Sequence, residues 1–216
     1  MMYVRPSTFN LLNNYEELIS SLRQQPILVV IRPNNFTSTH RQLRALSSAG
    51  YRHIELSWKP IPYWEDWVRY WQREFPYLIF GAASIISIEG LEAAHRLGLR
   101  YCVTPVLNKF LLSRSRKMKI LLIPGVFSPS EIHEAILMRC KIIKLFPARL
   151  LGPDYWRQLR SPLGSLPFCL AAGGLSVNDI PLWLRAGVDA VVLGRQLFAS
   201  SNPVKPILTP LSYQLR

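Results

Sequence analysis

Short apolar runs rich in β-branched residues recur along the chain at intervals of roughly 20–30 residues, and each is followed by a stretch whose apolar positions repeat with helical spacing. Eight runs are strand candidates: Ile27–Ile31, His53–Leu56, Leu78–Gly81, Tyr101–Thr104, Ile120–Ile123, Ile142–Phe146, Cys169–Ala172 and Ala190–Gly194. Several are apolar at consecutive positions, so both faces must be covered, as in parallel strands packed under helices. The helical segments between them carry their own signals. Thr37 to Ala49 ends at Gly50, Ser87 to Leu97 at Gly98 and Val177 to Ala186 at Gly187, where glycine takes the left-handed conformation that stops a helix. Ser128-Pro129-Ser130-Glu131 opens another, with Ser128 as N-cap, Pro129 at the first helical position and Glu131 as the capping-box acid.

Eight βα units in 216 residues predict an α/β protein built as a single (β/α)₈ TIM barrel, because an open doubly wound sheet usually has about five or six strands. The amphipathic segment Leu11 to Leu22 precedes the first strand and is expected to close the barrel's bottom as an extra N-terminal helix. No linker or composition shift divides the chain. Residues 1–216 therefore read as one domain, with the barrel core over about 26–200 and a proline-bearing tail over 201–216.

In such a barrel the chemistry belongs at the C-terminal ends of the strands. In Lys141-Ile142-Ile143-Lys144-Leu145-Phe146 the period of two puts Ile142 and Lys144 on one face, with Lys144 near the strand's end. Burial penalises an ammonium and leaves a fraction of neutral amine able to attack a ketone, which is how a Schiff-base lysine is made. The alternative is a lysine snorkelling to solvent at the rim. On the second strand Glu55 shares a face with His53, and a carboxylate between Ile54 and Leu56 is costly unless paired. Lys144 is its natural partner, as a proton shuttle beside the amine or as a buried pair without chemistry.

Gly173 and Gly174 follow strand seven and Arg195 ends strand eight, the two places where many such barrels hold phosphate. The glycines let backbone N–H groups approach an anion, and Arg195 adds a guanidinium for phosphate or carboxylate unless it lies on an exposed rim. Arg32 closes strand one, Ser84 follows strand three and Pro105 ends strand four.

The balance of 26 Lys and Arg against 13 Asp and Glu gives a formal +13 and favours anionic partners, phosphorylated metabolites or nucleic acid. The one basic cluster, Arg114 to Lys119, contains no aromatic residue to stack on bases, so it reads as a solvated helix end and argues against nucleic acid. Cys102, Cys140 and Cys169 lie in apolar stretches without CxxC spacing and read as buried reduced thiols; the four histidines show no metal-ligand spacing. No metal or cofactor is expected. Apolar runs too short for a membrane span, and an N-terminal sequence without a signal-peptide pattern, point to a cytoplasmic protein.

The string of strand ends resembles the family of 2-keto-3-deoxy-6-phosphogluconate and 4-hydroxy-2-oxoglutarate aldolases, from about Pro26 to Phe198. It rests on VIR (Val30–Arg32), IEL (Ile54–Leu56), GAAS (Gly81–Ser84), VTP (Val103–Pro105), IPGVFSPSEI (Ile123–Ile132), KLFPA (Lys144–Ala148) and AGG (Ala172–Gly174). The resemblance implies a class I pyruvate aldolase, a trimer without a metal, with Lys144 as the Schiff-base lysine and Glu55 as the acid/base group. Arg32, Ser84 and Pro105 match positions lining the pyruvate pocket, and Gly173 and Gly174 match the carboxylate- and phosphate-side loop. Three departures fall in the recognition shell. Ala172 stands where the family carries a hydroxyl, Arg195 where it carries a small phosphate-binding serine, and Lys59 where many members have arginine or threonine. Two functions follow as expectations: an aldolase cleaving 2-keto-3-deoxy-6-phosphogluconate, a small anionic 2-keto acid, and with it 4-hydroxy-2-oxoglutarate, to pyruvate and an aldehyde, or a barrel that binds a small anionic metabolite without turnover.

Overall fold

In a computed structural model of the chain, the described residues are 11–198, with backbone only for 11–14; the expected tail over 201–216 lies outside them. The strands are β1 (Ile27–Ile31), β2 (His53–Ser57), β3 (Ile79–Ala83), β4 (Tyr101–Val103), β5 (Leu122–Ile123), β6 (Gly125–Val126), β7 (Ile142–Leu145), β8 (Phe168–Ala172) and β9 (Ala190–Leu193). All pairings are parallel, in the order β5-β4-β3-β2-β1-β9-β8-β7-β6. The two ends of this sheet, β5 and β6, are separated in the chain by Pro124 alone, so the sheet closes on itself as an eight-fold barrel. The split corrects the expected fifth strand, Ile120–Ile123. Proline has no N–H for the ladder and interrupts it, while the Pro124 carbonyl still accepts from the Lys144 N–H at 2.8 Å.

The helices are α1 (Leu11–Gln24), α2 (Phe36–Ser48), α3 (Trp64–Glu74), α4 (Ile88–Arg96), α5 (Lys109–Lys117), α6 (Pro129–Leu137), the single turn α7 (Ala148–Leu151), α8 (Pro153–Leu163) and α9 (Ile180–Arg185). Two starts are capped as the sequence predicts, the Ser87 side chain accepting from a backbone N–H and Ser128 with Glu131 forming a complete capping box, and Asn108 caps α5 in the same way as Ser87. The helix expected over Val177 to Ala186 instead begins with a 3₁₀ turn, Val177–Asp179. Pro181 removes a donor from the first turn of α9 and Asp179 caps the 3₁₀ turn through the Ser176 N–H and hydroxyl.

Period-two alternation sorts the strand residues into two cores. Ile27, Val29, Ile31, Ile54, Leu56, Phe80, Ile143 and Leu145 face outward and pack under the helices. Leu28, Tyr101, Val103, Ile123, Ile142, Leu170 and Val192 fill the barrel interior. Leu18 and Leu22 of α1 join that interior cluster, so the extra N-terminal helix plugs the bottom of the barrel as expected. Among the described residues no helix is long and apolar enough to cross a membrane. The three cysteines are buried and unpaired.

His53, one layer below Glu55 and fully buried, has its Nε2 2.8 Å from the Ser21 hydroxyl of α1. Burial, with a smaller push from Arg52, lowers its pKa from 6.5 to about 4. The unfolded chain thus takes up a proton that the folded barrel refuses, and this contribution to stability is complete above 6.5 and lost as pH falls towards 4. At 1.36 kcal/mol per unit this amounts to about 3 kcal/mol. Urea unfolding at pH 7.5 and 4.5 should show a smaller acid loss in His53→Gln than in the wild type. Equal losses in both proteins would place the acid sensitivity elsewhere.

Candidate active site

The C-terminal ends of the strands surround a mouth cavity of about 440 Å³. Arg32, Ser84, Pro105, Lys144, Gly173, Gly174 and Arg195, scattered over more than 160 positions of sequence, all lie on its wall. Glu55 does not. Its side chain points into the barrel below the mouth and is wholly buried.

Lys144 projects inward from β7 with 8% of its surface exposed, its Nζ 5.1 Å from the centre of the Phe146 ring. Burial pushes its pKa below the ordinary amine value; the Glu55 charge opposes that shift and the Arg32 charge adds to it. Glu55 shows the mirror effect, since burial raises its carboxyl pKa and Lys144 pulls it back. The two were expected to form a direct pair. Instead, neither Glu55 oxygen has a hydrogen-bond partner among the described residues. The reason is topological: β2 and β7 are the second and sixth of eight staves, diametrically opposed, so the groups face each other across the interior and interact through charge.

The mouth wall is built to receive negative charge. Gly173 and Gly174 have φ of 102° and 79°, in the left-handed region, and a Cβ on Gly173 would lie 2.9 Å from the Pro147 backbone. Only glycine fits there, and the turn is thereby exposed as backbone. Arg195 begins a 3₁₀ turn after β9 and is solvent-exposed at the cavity's edge, as is Arg32 after β1. A further cation escaped the sequence reading. Arg149 lines the same cavity and donates to the Gly174 carbonyl at 3.0 Å. Its only sequence signal is its place directly after the KLFPA run. The charged side chains on the wall are Arg32, Lys144, Arg149 and Arg195, with no carboxylate among them. Ser84 is held with φ 61° and its hydroxyl accepts from Ser57 at 3.0 Å, a strained setting for a non-glycine residue. Ala172 is on the wall, whereas Lys59 is not and bonds Asn34.

The basic cluster Arg114–Lys119 sits at the end of α5, largely exposed. Arg114 pairs with Glu92, and Arg116 donates to the Met138 carbonyl. Among the described residues no group of three or more His, Cys, Asp or Glu side chains is placed to hold a metal ion.

Comparison with known proteins agrees with this architecture. The chain is 23% identical over 181 residues to the 2-dehydro-3-deoxy-6-phosphogalactonate aldolase of Escherichia coli, covering 83% of this chain and 88% of that protein. It is 29% identical over 163 residues to the 2-dehydro-3-deoxy-phosphogluconate aldolase of Pseudomonas aeruginosa, covering 75% and 73%. In fold it is similar to the crystal structure of 2-keto-3-deoxy-6-phospho-gluconate aldolase from Zymomonas mobilis, with a TM-score of 0.73 at 20% identity over 86% of this chain and 89% of that one. The sequence profile of the KDPG and KHG aldolases matches residues 18–206, and this lyase barrel therefore belongs to the KDPG and KHG aldolase family.

Proposed function

We propose that the protein is a class I aldolase that cleaves 2-keto-3-deoxy-6-phosphogluconate, and with it 4-hydroxy-2-oxoglutarate, to pyruvate and an aldehyde through a Schiff base on Lys144. The observation that carries this reading is the pair of ionisable groups inside an apolar barrel, one an amine at the cavity floor with lowered pKa, the other a carboxyl with raised pKa. Perturbed groups of complementary role that face each other across one barrel interior support acid/base chemistry.

The neutral Lys144 amine attacks the C2 carbonyl, the carbinolamine loses water, and the resulting iminium draws electrons from the C3–C4 bond. Glu55 takes the proton of the C4 hydroxyl as that bond breaks, releasing the aldehyde. It then returns a proton to C3 of the pyruvate enamine, and water hydrolyses the imine to free Lys144. Arg32, Ser84 and Pro105 line the side that receives the substrate carboxylate; Gly173, Gly174 and Arg195 receive the phosphate. Ala172 removes a hydroxyl from the carboxylate side, and at 195 a guanidinium replaces the family's serine with charge-assisted bonds to the phosphate. No cofactor enters this cycle. The reading includes a cytoplasmic homotrimer, supported by the unpaired buried thiols and by exposed Val106, Phe127 and Leu150 beside the mouth.

Pyruvate with borohydride should leave a reduced adduct on Lys144, located by peptide mass spectrometry. A barrel that binds without turnover gives no adduct under saturating pyruvate. Lys144→Ala should abolish both the adduct and pyruvate release, while Lys141→Ala, altering an exposed side chain outside the mouth, should preserve them; equal loss in the two variants would sink the assignment.

Glu55→Gln should slow cleavage about 10²–10⁴-fold while still trapping pyruvate. Activity within about twofold of wild type would leave Glu55 a structural group.

Arg195→Ser restores the residue that the family carries, yet it should raise KM for the phosphorylated substrate by about tenfold or more, the scale of a lost hydrogen bond to a charged group. KM for 4-hydroxy-2-oxoglutarate should hardly change. An unchanged or improved KM for the phosphorylated substrate would mean that the arginine points away from the bound phosphate.

A further inference from the structure

Among the described residues, three buried oxygen atoms in the barrel interior have no partner: both carboxylate oxygens of Glu55 and the hydroxyl of Tyr101. Both residues are fully buried. Leaving a phenol and a carboxylate in an apolar interior without hydrogen bonds is costly for each, and the two costs are relieved together if one donates to the other.

The register brings them into one row. Glu55 on β2 pairs with Gly81 on β3, and Gly81 pairs with Tyr101 on β4, so all three positions point inward at one level. Gly81 contributes no side chain between its neighbours. The Tyr101 ring fills that space: a Cβ on Gly81 would lie 2.5 Å from Tyr101 Cζ, the carbon that bears the hydroxyl. The phenol therefore lies over β3, the strand between Tyr101 and Glu55, and about one strand spacing, ~4.8 Å, separates β3 from β2. Rotation of the Glu55 side chain closes such a gap.

We propose that Tyr101 is a positioning residue for Glu55, its hydroxyl being the hydrogen-bond donor that holds the carboxylate in place opposite Lys144. The proposal rests on the reading of Glu55 as the proton-transfer group. A donor to the charged form of a buried carboxylate keeps it ionised nearer neutral pH and fixes which oxygen turns to substrate. The other groups around Glu55 cannot do this. His53 lies a layer below with its Nε2 at Ser21 and its Nδ1 unpartnered among the described residues, Ser57 above Glu55 donates to Ser84, and Cys102 on β4 faces outward. Lys144 supplies charge from the far wall, with Arg32 beyond it at the mouth. The Glu55 charge in turn raises the Tyr101 phenol pKa, already lifted by burial, so the hydroxyl keeps its proton and remains a donor.

The test uses pyruvate alone: exchange of its methyl hydrogens for deuterium in D₂O, followed by proton NMR across pH. This half-reaction needs the amine and the proton-transfer group but no aldehyde. Tyr101→Phe should lower kcat/KM for exchange about 10- to 100-fold and move the acid limb of its pH profile upward by about one unit or more, because the carboxylate has lost its donor. In a Glu55→Gln background the same substitution should have no further effect on exchange. Should Tyr101→Phe fold poorly, 3-fluorotyrosine at position 101, a stronger donor of nearly the same shape, should move the acid limb downward instead. An unchanged limb and rate in Tyr101→Phe, with a raised Tm, would show the hydroxyl to be an isolated buried group and overturn the proposal. If Glu55→Gln exchanges at the wild-type rate, the reading of Glu55 fails. The contact between the two side chains is then judged separately by whether their Tm effects are additive in the double variant.

Discussion

A lysine cannot be packed into the interior of a closed barrel as a fully charged ammonium without a compensating group. The cavity floor of this aldolase is organised around that constraint. Lys144 is nine-tenths buried on β7, and the carboxylate that offsets it, Glu55, sits on the diametrically opposed stave. Direct pairing would have satisfied both charges and tied up the amine. Separation across the barrel leaves each partly compensated, so the amine is easier to deprotonate and the carboxyl easier to protonate than in water.

What surrounds that floor follows from closure. The closed sheet brings the ends of β1, β3, β4, β7, β8 and β9 around one mouth, and there the chain has replaced bulk with backbone at Gly173 and Gly174 and added guanidinium groups at Arg32, Arg149 and Arg195. A wall with four cations and no carboxylate focuses field into the cavity and draws anions to it. Arg149 has a structural duty as well, since its donation to the Gly174 carbonyl helps hold the glycine turn in shape. Four of the 26 Lys and Arg residues stand at the mouth and most of the others lie elsewhere. Arg114, Arg116 and Lys117 gather at the C-terminal turn of α5, where positive charge complements the helix dipole, and exposed pairs such as Arg114 with Glu92 add little to stability.

The departures from the family pattern also fall into two groups. Ala172 and Arg195 stand on the cavity wall and bear on what is bound there, while Lys59 is turned to Asn34 and away from the wall. The interior below the mouth carries an oddity of its own in Tyr101, a polar side chain where apolar filling would do, laid across Gly81 towards the acid.

Much of this was determined by local chemistry alone. Consecutive apolar positions in runs such as Ile27–Ile31 specify strands covered on both faces, period-two alternation sorts the two faces of each strand, and Ser128 with Glu131 specifies a helix start, because caps and periodicity depend only on neighbours in the chain. The same alternation was sufficient to put Lys144 and Glu55 on the inside. It could not say how far apart they would stand, for that depends on how many staves separate β2 from β7 once the sheet has closed. Nor could it say that Arg149 would turn onto the Gly174 loop, or that the space left by Gly81 would be filled by the ring of Tyr101, since both contacts join residues on separate elements. Sequence decides which way a side chain faces; only closure of the barrel decides what it faces.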